Sequence, residues 1–183
     1  MVKRCSWGNT DDLLYRNYHD QEWGKLNLNE KYLYEMLVLE SFQSGLSWST
    51  ILHKRENFRK DFAEFDVNKV VQFNDDDFQR LMQDAGIIRN RLKINAAINN
   101  AQVLVKWYHE GKNFAAFLTE FIPKPIDHHF KAESDMPAKD ELSTQISKTM
   151  KKAGFKFVGP TTVYSFLQAV GLINDHIEAC DFR

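Results

Sequence analysis

Apolar residues recur at the three- and four-residue spacing of an α-helix along nearly the whole chain, and this spacing is the main sequence signal for helices that pack against a core. No segment shows the sustained apolar–polar alternation, bounded by turn residues, that is typical of a β-hairpin. We therefore predict an all-α protein. The clearest helix is predicted over residues 91–108, and its buried stripe is Ile94, Ala97, Ile98, Ala101 and Leu104 or Val105.

Residues that commonly cap or end helices divide the rest of the chain. Predicted N-caps are Asn29, Asp66 and Asn74, and predicted ends are Ser44, Gly86, Gly154 and Gly171. Further helices are predicted over residues 114–121, from about 140 to 153, and from 160 onward. Residues 123–137 hold three of the four prolines, which indicates an irregular loop. At 183 residues and 43% hydrophobic content, residues 1–183 are expected to form a single domain.

Composition excludes several classes of protein. No apolar run approaches the length of a membrane span, and the first residues lack the apolar stretch of a signal peptide, so we expect no membrane association and a cytoplasmic location. Only two cysteines occur, Cys5 and Cys180, which excludes a disulfide framework.

The net charge of −1 argues weakly against nucleic-acid binding, but the charges are unevenly distributed. Residues 85–109 and 142–174 contain lysines or arginines and no acidic residue. These segments are either solvated helix faces or surfaces that meet phosphates, and charge alone does not decide between them.

The predicted turn between the last two long helices, residues 154–162, could bind a phosphate. Gly154 permits a tight bend, Pro160 suits a first helical turn, and free N–H groups at a helix start can hold an anionic oxygen. An ordinary interhelical turn is the alternative. Neighbouring lysines favour the phosphate site, namely Lys148, Lys151, Lys152 and Lys156.

Glu40 lies on the stripe of its helix that should face the core, seven residues after Leu33 and three after Leu37. A carboxylate there needs either a hydrogen-bonding or basic partner, or a functional role. After it, Gly45 ends the helix, and Leu46 and Trp48 are expected at the exposed edge of the turn.

Four aromatic residues lie close together near the N-terminus, namely Trp7, Tyr15, Tyr18 and Trp23. Such rings can form a flat-walled slot for a planar base, and they can also simply fill a core.

Potential metal ligands occur at both ends of the chain: Cys5 and His19 at the start, His176 and Cys180 at the finish. Four such ligands suit a closed tetrahedral zinc site. A disulfide or two unrelated thiols are the alternatives that spacing leaves open.

Several motifs together resemble the 3-methyladenine DNA glycosylase I family of the helix-hairpin-helix superfamily. They are residues 18–24 (YHDQEWG), 39–48 (LESFQSGLSW), 84–89 (DAGIIR), 154–159 (GFKFVG) and 174–176 (NDH) with Cys180. The resemblance covers nearly the whole chain. It implies a helix-hairpin-helix glycosylase fold whose termini, residues 1–24 and 172–183, are joined at one structural zinc.

The resemblance also implies a function, namely that a monomer excises 3-methyladenine from double-stranded DNA in base excision repair and releases the free base. It implies that Glu40 is the essential acid, that Tyr18 and Trp48 stack on the extruded base, and that Trp7, Trp23 and Tyr15 complete the pocket. Zinc would be bound by Cys5, His19, His176 and Cys180. DNA would be contacted by Gly45, Leu46, Lys156, Val158, Gly159 and Thr161.

Two features depart from the wider superfamily. The turn at residues 154–162, which corresponds to the hairpin of that superfamily, lacks the full LPGVG form. No lysine follows it at the superfamily's usual nucleophile position, so no lyase activity is expected. Asp175 lies near the region of the superfamily's catalytic aspartate, and it is expected either to assist catalysis or to orient a zinc ligand. A protein that only holds DNA or another protein is the rival from a different class, and Glu40 on a buried stripe near several rings argues against it.

Overall fold

The computed structural model describes residues 2–183. Within that part of the chain the α-helices are α1 (Leu13–Gln21), α2 (Glu30–Gln43), α3 (Trp48–Asp61), α4 (Val67–Val70), α5 (Asp75–Gln83), α6 (Arg91–His109), α7 (Phe114–Phe121), α8 (Glu141–Lys152) and α9 (Pro160–Ala169). Two short strands are β1 (Ile126–Asp127) and β2 (Ile173–Asn174), and short 3-10 turns cover Ser6–Gly8, Ala63–Phe65 and Glu133–Asp135.

The predicted helices are confirmed, and so are their caps. The side chains of Asn29, Asp66 and Asn74 each accept hydrogen bonds from backbone N–H groups in the first turn of α2, α4 and α5. Helix α5 ends at Gln83, earlier than Gly86, because the Asp84 carboxylate accepts the Gly86 N–H at 2.5 Å and replaces a helical bond.

Helices α1 and α3 were not predicted, because buried polar residues interrupt their apolar stripes. The buried residues of α1 are Tyr18, His19 and Asp20. In α3 the buried face includes Arg55 and Asp61. A stripe that contains charged groups does not register as amphipathic in the sequence.

Residues 123–137 form the expected irregular segment, with one addition. Strand β1 pairs in parallel with β2, which follows α9, with Ile126 opposite Ile173. This contact ties the loop to the segment that leads into the C-terminus. The mostly helical architecture otherwise agrees with the all-α prediction.

Helix α2 is the centre of the core, and every residue from Leu33 to Phe42 is buried. It packs against α3, α6, α7 and α9. On α6 the predicted stripe is buried at Ile94, Ala97, Ala101 and Leu104, whereas Ile98 and Val105 are half-buried. None of the helices that the structure describes combines the length and apolar character needed to span a bilayer.

Candidate functional site

A cavity of about 250 Å³ opens where α1, α2, α9, the start of α3 and the loop after β1 meet. Its walls are formed by Trp7, Tyr15, Tyr18, Trp23, Glu40, Gln43, Trp48, Met136, Ser165 and Gln168. The volume is smaller than the roughly 300–1,000 Å³ typical of pockets for drug-sized ligands. The cavity therefore suits one small planar molecule, and it contains all six residues expected to bind or act on a base.

Glu40 is the only acidic residue in the wall, and it is 6% exposed. Within residues 2–183 its carboxylate has neither a hydrogen bond nor an ion pair. Glu40 is therefore not a structural residue that pairs with a neighbouring donor or basic side chain. Burial without a partner raises the pKa of Glu40 to about 8. A carboxyl group held in this way is a typical feature of a functional site.

The raised pKa of Glu40 predicts how the stability of the fold depends on pH. Because the pKa of Glu40 is raised in the folded state, the fold favours the neutral acid, and that contribution is lost as the pH rises from about 4.5 to about 8. Glu40→Gln stays neutral at every pH, so we expect its melting temperature to exceed that of the wild type by several degrees at pH 9 and to match it near pH 4.5. Thermal melts across this range test the prediction, with Glu120→Gln on the exposed side of α7 as the matched control. A difference that does not change with pH would contradict it.

The aromatic residues form a continuous wall. The ring centroids of Tyr18 and Trp48 are 5.1 Å apart, and those of Trp7 lie 5.2 Å from Tyr15 and 5.0 Å from Trp23. Tyr18 and Trp48 touch each other, so a planar base that stacks on both must first separate them. The indole N–H of Trp48 is buried and donates to no described residue, which leaves a polar group without a partner in the pocket.

A buried ion-pair network holds the three helices that carry these side chains. Arg55 of α3 donates to Glu22, the residue that follows α1, at 2.8 Å and to Glu35 of α2 at 2.6 Å. Arg55 is 6% exposed, and buried pairs of this kind constrain geometry because leaving one partner alone is costly. The network therefore fixes how Tyr18, Glu40 and Trp48 face one another.

Sequence reasoning missed four residues of the wall: Gln43, Met136, Ser165 and Gln168. Gln43 lies within the motif 39–48, but the motif alone does not indicate that its side chain faces the pocket. Met136 comes from the irregular loop, which Glu133 ties to the N-terminus by accepting from the backbone N–H and the hydroxyl of Ser6. A loop that crosses the molecule carries no local signal of its destination, whereas the positions of Ser165 and Gln168, three apart on α9, are typical of one helix face.

The two ends of the chain meet at a buried cluster of potential metal ligands. Ligand atoms of Cys5, His19 and Cys180 lie within 4.8 Å of one another, and the Cys180 Sγ is 3.7 Å from the His19 Nε2. His176 packs edge-on against His19 with ring centroids 4.8 Å apart, but its Nε2 lies 3.2 Å from the His19 carbonyl oxygen. The structure thus groups three of the four predicted ligands and places the fourth beside them.

The chemistry of this cluster fits a metal. The Nδ1 of His19 lies 2.8 Å from Asp20, which Arg4 holds in turn, so the Nε2 is left to face Cys180. Burial lowers the pKa of His19 and of His176, the latter to about 4, which keeps both rings in the neutral form that binds metals. Burial raises the pKa of Cys5 to about 12, a cost that a bound cation would remove.

The terminal cluster also supports the wall of the cavity. Trp7 packs against His19 with centroids 4.7 Å apart, and Trp23 packs against His176 at 4.6 Å. Gly8 permits this packing, since a Cβ there would lie 2.4 Å from the His19 ring. Joining the termini therefore sets the position of two aromatic walls.

The predicted hairpin lies between α8 and α9. Gly159 caps α9 without a side-chain hydrogen bond, and the backbone N–H groups of Thr161 and Thr162 have no partner within residues 2–183. Val158 is fully buried, backbone included, and its carbonyl accepts the Ser147 hydroxyl at 2.6 Å, so it supports the hairpin from inside and is not exposed to a ligand. The four lysines named for this region are exposed: Lys148, Lys151, Lys152 and Lys156.

The turn after α2 lies close to the hairpin, because the Ser41 Oγ near the end of α2 is 3.2 Å from the Phe157 carbonyl oxygen. In this turn Gly45 has φ +83°, and Leu46 is 38% exposed, an unusual position for a leucine side chain. Lys93 belongs to the positive segment 85–109 but fits neither expected role, since it is buried and donates to the carbonyls of Phe42 and Ser44 at 2.8 and 2.7 Å. It satisfies the carbonyl end of α2.

Comparison with known proteins gives a consistent result. The sequence model of the methyladenine glycosylase family matches residues 7–183. The chain is 46% identical over 180 residues to DNA-3-methyladenine glycosylase 1 of Escherichia coli, covering 98% of this chain and 96% of that protein. It is 40% identical over 181 residues to DNA-3-methyladenine glycosylase of Haemophilus influenzae, covering 98% and 97%.

Solved structures agree with the sequence comparison. A crystal structure of 3-methyladenine DNA glycosylase I superposes with a TM-score of 0.95 at 43% identity, covering 98% of both chains. A structure that describes 3-methyladenine recognition by the Staphylococcus aureus enzyme superposes with a TM-score of 0.92 at 40% identity, covering 96% of this chain and 94% of that one. With the family match and the shared fold both extending over almost the entire chain, this protein belongs to the methyladenine glycosylase family.

Proposed function

We propose that this protein is a monofunctional DNA glycosylase of base excision repair that removes 3-methyladenine from alkylated DNA and releases it as the free base. The observation that carries the proposal is Glu40, a buried carboxyl group without a partner, in an aromatic cavity the size of one base. Relatives at 40% and 46% identity have this activity in their names. One similar structure is described as a complex with 3-methyladenine.

The chemistry of the lesion matches this pocket. Methylation at N3 makes adenine in DNA a cation, so its bond to the sugar is already weak and the base leaves in neutral form. A cation next to Glu40 favours the ionised carboxylate, which lowers the pKa of Glu40 from its raised value in the empty pocket. Normal adenine brings no charge and gains none of this attraction. Discrimination therefore comes from a buried charge that only the damaged base neutralises.

Aromatic contact adds to this selectivity. Tyr18 and Trp48 stack on the everted base once their rings have separated, and Trp7, Trp23 and Tyr15 complete the wall. A cationic ring gains more from aromatic faces than a neutral one, and stacking contributes about 1–3 kcal/mol per base. The carboxylate of Glu40 supplies an acceptor for the edge of the base.

The DNA itself is held outside the pocket. Leu46, exposed next to Gly45, inserts into the gap left by the extruded nucleotide, as apolar wedges do in other DNA-bending proteins. The backbone of Gly159 and Thr161 grips a phosphate at the start of α9, buried Val158 supports this turn from inside, and Lys156 adds positive charge. The short distance between the two turns allows one duplex to contact both.

Water completes the reaction. The residues that line the cavity include no lysine that could form a Schiff base with the sugar. The products are then the free base and an intact abasic strand.

Chromatography of released bases tests the proposed function. The protein is incubated with DNA methylated by an alkylating agent, and with the same DNA unmethylated, and the soluble bases are separated and quantified. We expect free 3-methyladenine from the first substrate only, without strand cleavage. A protein that binds the methylated DNA but releases no base would establish the rival function of a DNA-holding module.

We also propose that one structural zinc ion is bound by Cys5, His19, Cys180 and His176. The support is the buried cluster of thiol and neutral imidazole groups and the orientation of His19 by Asp20. For His176 to join it, the ring must turn its Nε2 from the His19 carbonyl toward the cluster. Four protein ligands leave no position for water, so this zinc would stabilise the fold and take no part in hydrolysis.

Three further properties complete the proposal. The pocket, the hairpin and the terminal cluster all come from one chain, which supports a monomer. The same closure of the N-terminus onto the C-terminus supports a single domain over residues 1–183. Cys5 and Cys180 form no disulfide and are proposed to bind zinc instead, which suits a reducing compartment and supports a cytoplasmic location.

A further inference from the structure

One side chain of the cavity wall is held by a carboxylate outside the cavity. Gln168 of α9 lines the pocket, and its Nε2 donates to the Asp175 Oδ2 at 2.7 Å. Asp175 is fully buried in the segment that follows α9. Neither role expected for Asp175 matches its contacts, since it does not line the pocket, and the His176 Nδ1 faces Asn174 instead.

Asp175 is saturated with donors. Besides Gln168, it accepts from the Tyr164 hydroxyl at 2.7 Å, and its other oxygen lies 2.7 Å from the His128 Nδ1. An ionised carboxylate can only accept hydrogen bonds, so each of these partners must present a proton to it. A carboxylate enclosed in this way cannot turn toward a substrate without breaking several charge-assisted hydrogen bonds at once.

This arrangement decides which way the Gln168 amide points. The oxygen and nitrogen ends of a glutamine amide have nearly the same shape, and only their hydrogen bonds tell them apart. With the nitrogen committed to Asp175, the oxygen Oε1 is left free, and within residues 2–183 it has no partner. The pocket thereby gains an acceptor of fixed orientation in addition to Glu40, and the amide cannot flip to present a donor in its place.

We infer that Asp175 is a positioning residue that fixes Gln168 as a hydrogen-bond acceptor for the exocyclic amino group of the bound purine. The inference rests on the proposed function. Adenine carries an amino group at C6, whereas guanine carries a carbonyl oxygen, which would meet the Gln168 oxygen with like charge. Gln168 and Asp175 would therefore select 3-methyladenine over 3-methylguanine, the product of the same alkylation.

The test uses DNA that contains both lesions, so that the ratio of the two released bases comes from one reaction and does not depend on how much enzyme is folded. The full-length variants are Gln168→Met, Asp175→Asn and the double variant. We expect each single variant to lower release of 3-methyladenine about tenfold, the effect of one lost hydrogen bond. The ratio of released 3-methyladenine to released 3-methylguanine should fall in both single variants. The double variant should be no worse than Gln168→Met, because Asp175 acts through Gln168.

Three controls separate positioning from general damage. Gln102→Met and Asp75→Asn make the same changes at exposed helical positions and should alter nothing. Tyr164→Phe removes another donor from the same Asp175 oxygen but keeps the Gln168 contact. It should lower the melting temperature without changing the ratio.

Additive losses in the double variant, or an unchanged ratio in the single variants, would overturn the inference while leaving the glycosylase function standing. A wild-type protein that releases no base would overturn both. If Asp175→Asn does not fold, the Gln168 side-chain amide of the wild type can be assigned by NMR from its loss in Gln168→Met. One proton protected from exchange is expected, and two freely exchanging protons would contradict the inference.

Discussion

Glu40→Gln should release 3-methyladenine at least roughly 100-fold more slowly than the wild type, the loss typical of removing a positioned acid or base. Glutamine keeps the shape of the side chain but cannot neutralise a cationic base. We expect the loss in the rate of base release rather than in DNA binding, because Glu40 contacts the everted base whereas the rest of the DNA is held outside the pocket. Single-turnover release of the base from methylated DNA measures it, with Glu120→Gln as the matched control on an exposed helix face.

The same variant should become more stable than the wild type as the pH rises above about 4.5, and the difference should be fully developed above about pH 8. Loss of activity together with a gain in stability is the signature of a functional group held at a cost to the fold. A Glu40→Gln protein that excises the base at the wild-type rate would remove the assigned role, and one that loses both properties would point to a structural role instead.

Removing the proposed zinc should strongly lower the stability of the fold. Cys5→Ser or Cys180→Ser should abolish zinc binding and lower the melting temperature by about 10 °C or more, since ~1 kcal/mol corresponds to roughly 2–4 °C for a chain of this size. The reason is that the cluster joins the two ends of the chain, since His19 and Cys180 are 161 residues apart in the sequence. Elemental analysis of purified protein, expected to give one zinc per chain, and thermal melts with and without a chelator provide the measurement.

Histidine variants supply the matched comparison for the zinc site. His176→Ala should behave like the cysteine variants, whereas His109→Ala, exposed at the end of α6, should retain both zinc and stability. Because Trp7 and Trp23 pack against His19 and His176, the zinc-free protein should also excise the base more slowly at temperatures where it remains folded. Wild-type protein that contains no zinc and melts unchanged with a chelator would contradict the zinc site.

Features that depend on neighbours a few residues apart were predictable from the sequence. The cap residues Asn29, Asp66 and Asn74 act on the N–H groups two or three positions ahead, and the structure confirms each helix start. The burial of Glu40 follows from helical periodicity in the same way. The motifs identified the family, and with it the candidate residues of the pocket.

Only the tertiary structure decided what surrounds those residues. That Glu40 lacks a partner, that Met136 crosses over to the pocket and that His176 sits beside the cluster all depend on contacts between distant segments. Lys93 shows the limit clearly, since the charge of its segment left open a solvated helix face or a surface that meets phosphates, and it instead donates to the carbonyls at the end of α2. Local hydrogen bonds and helical periodicity depend on residues that are close in the sequence. The partners of buried polar groups depend on how the helices pack together, so only the tertiary structure determines them.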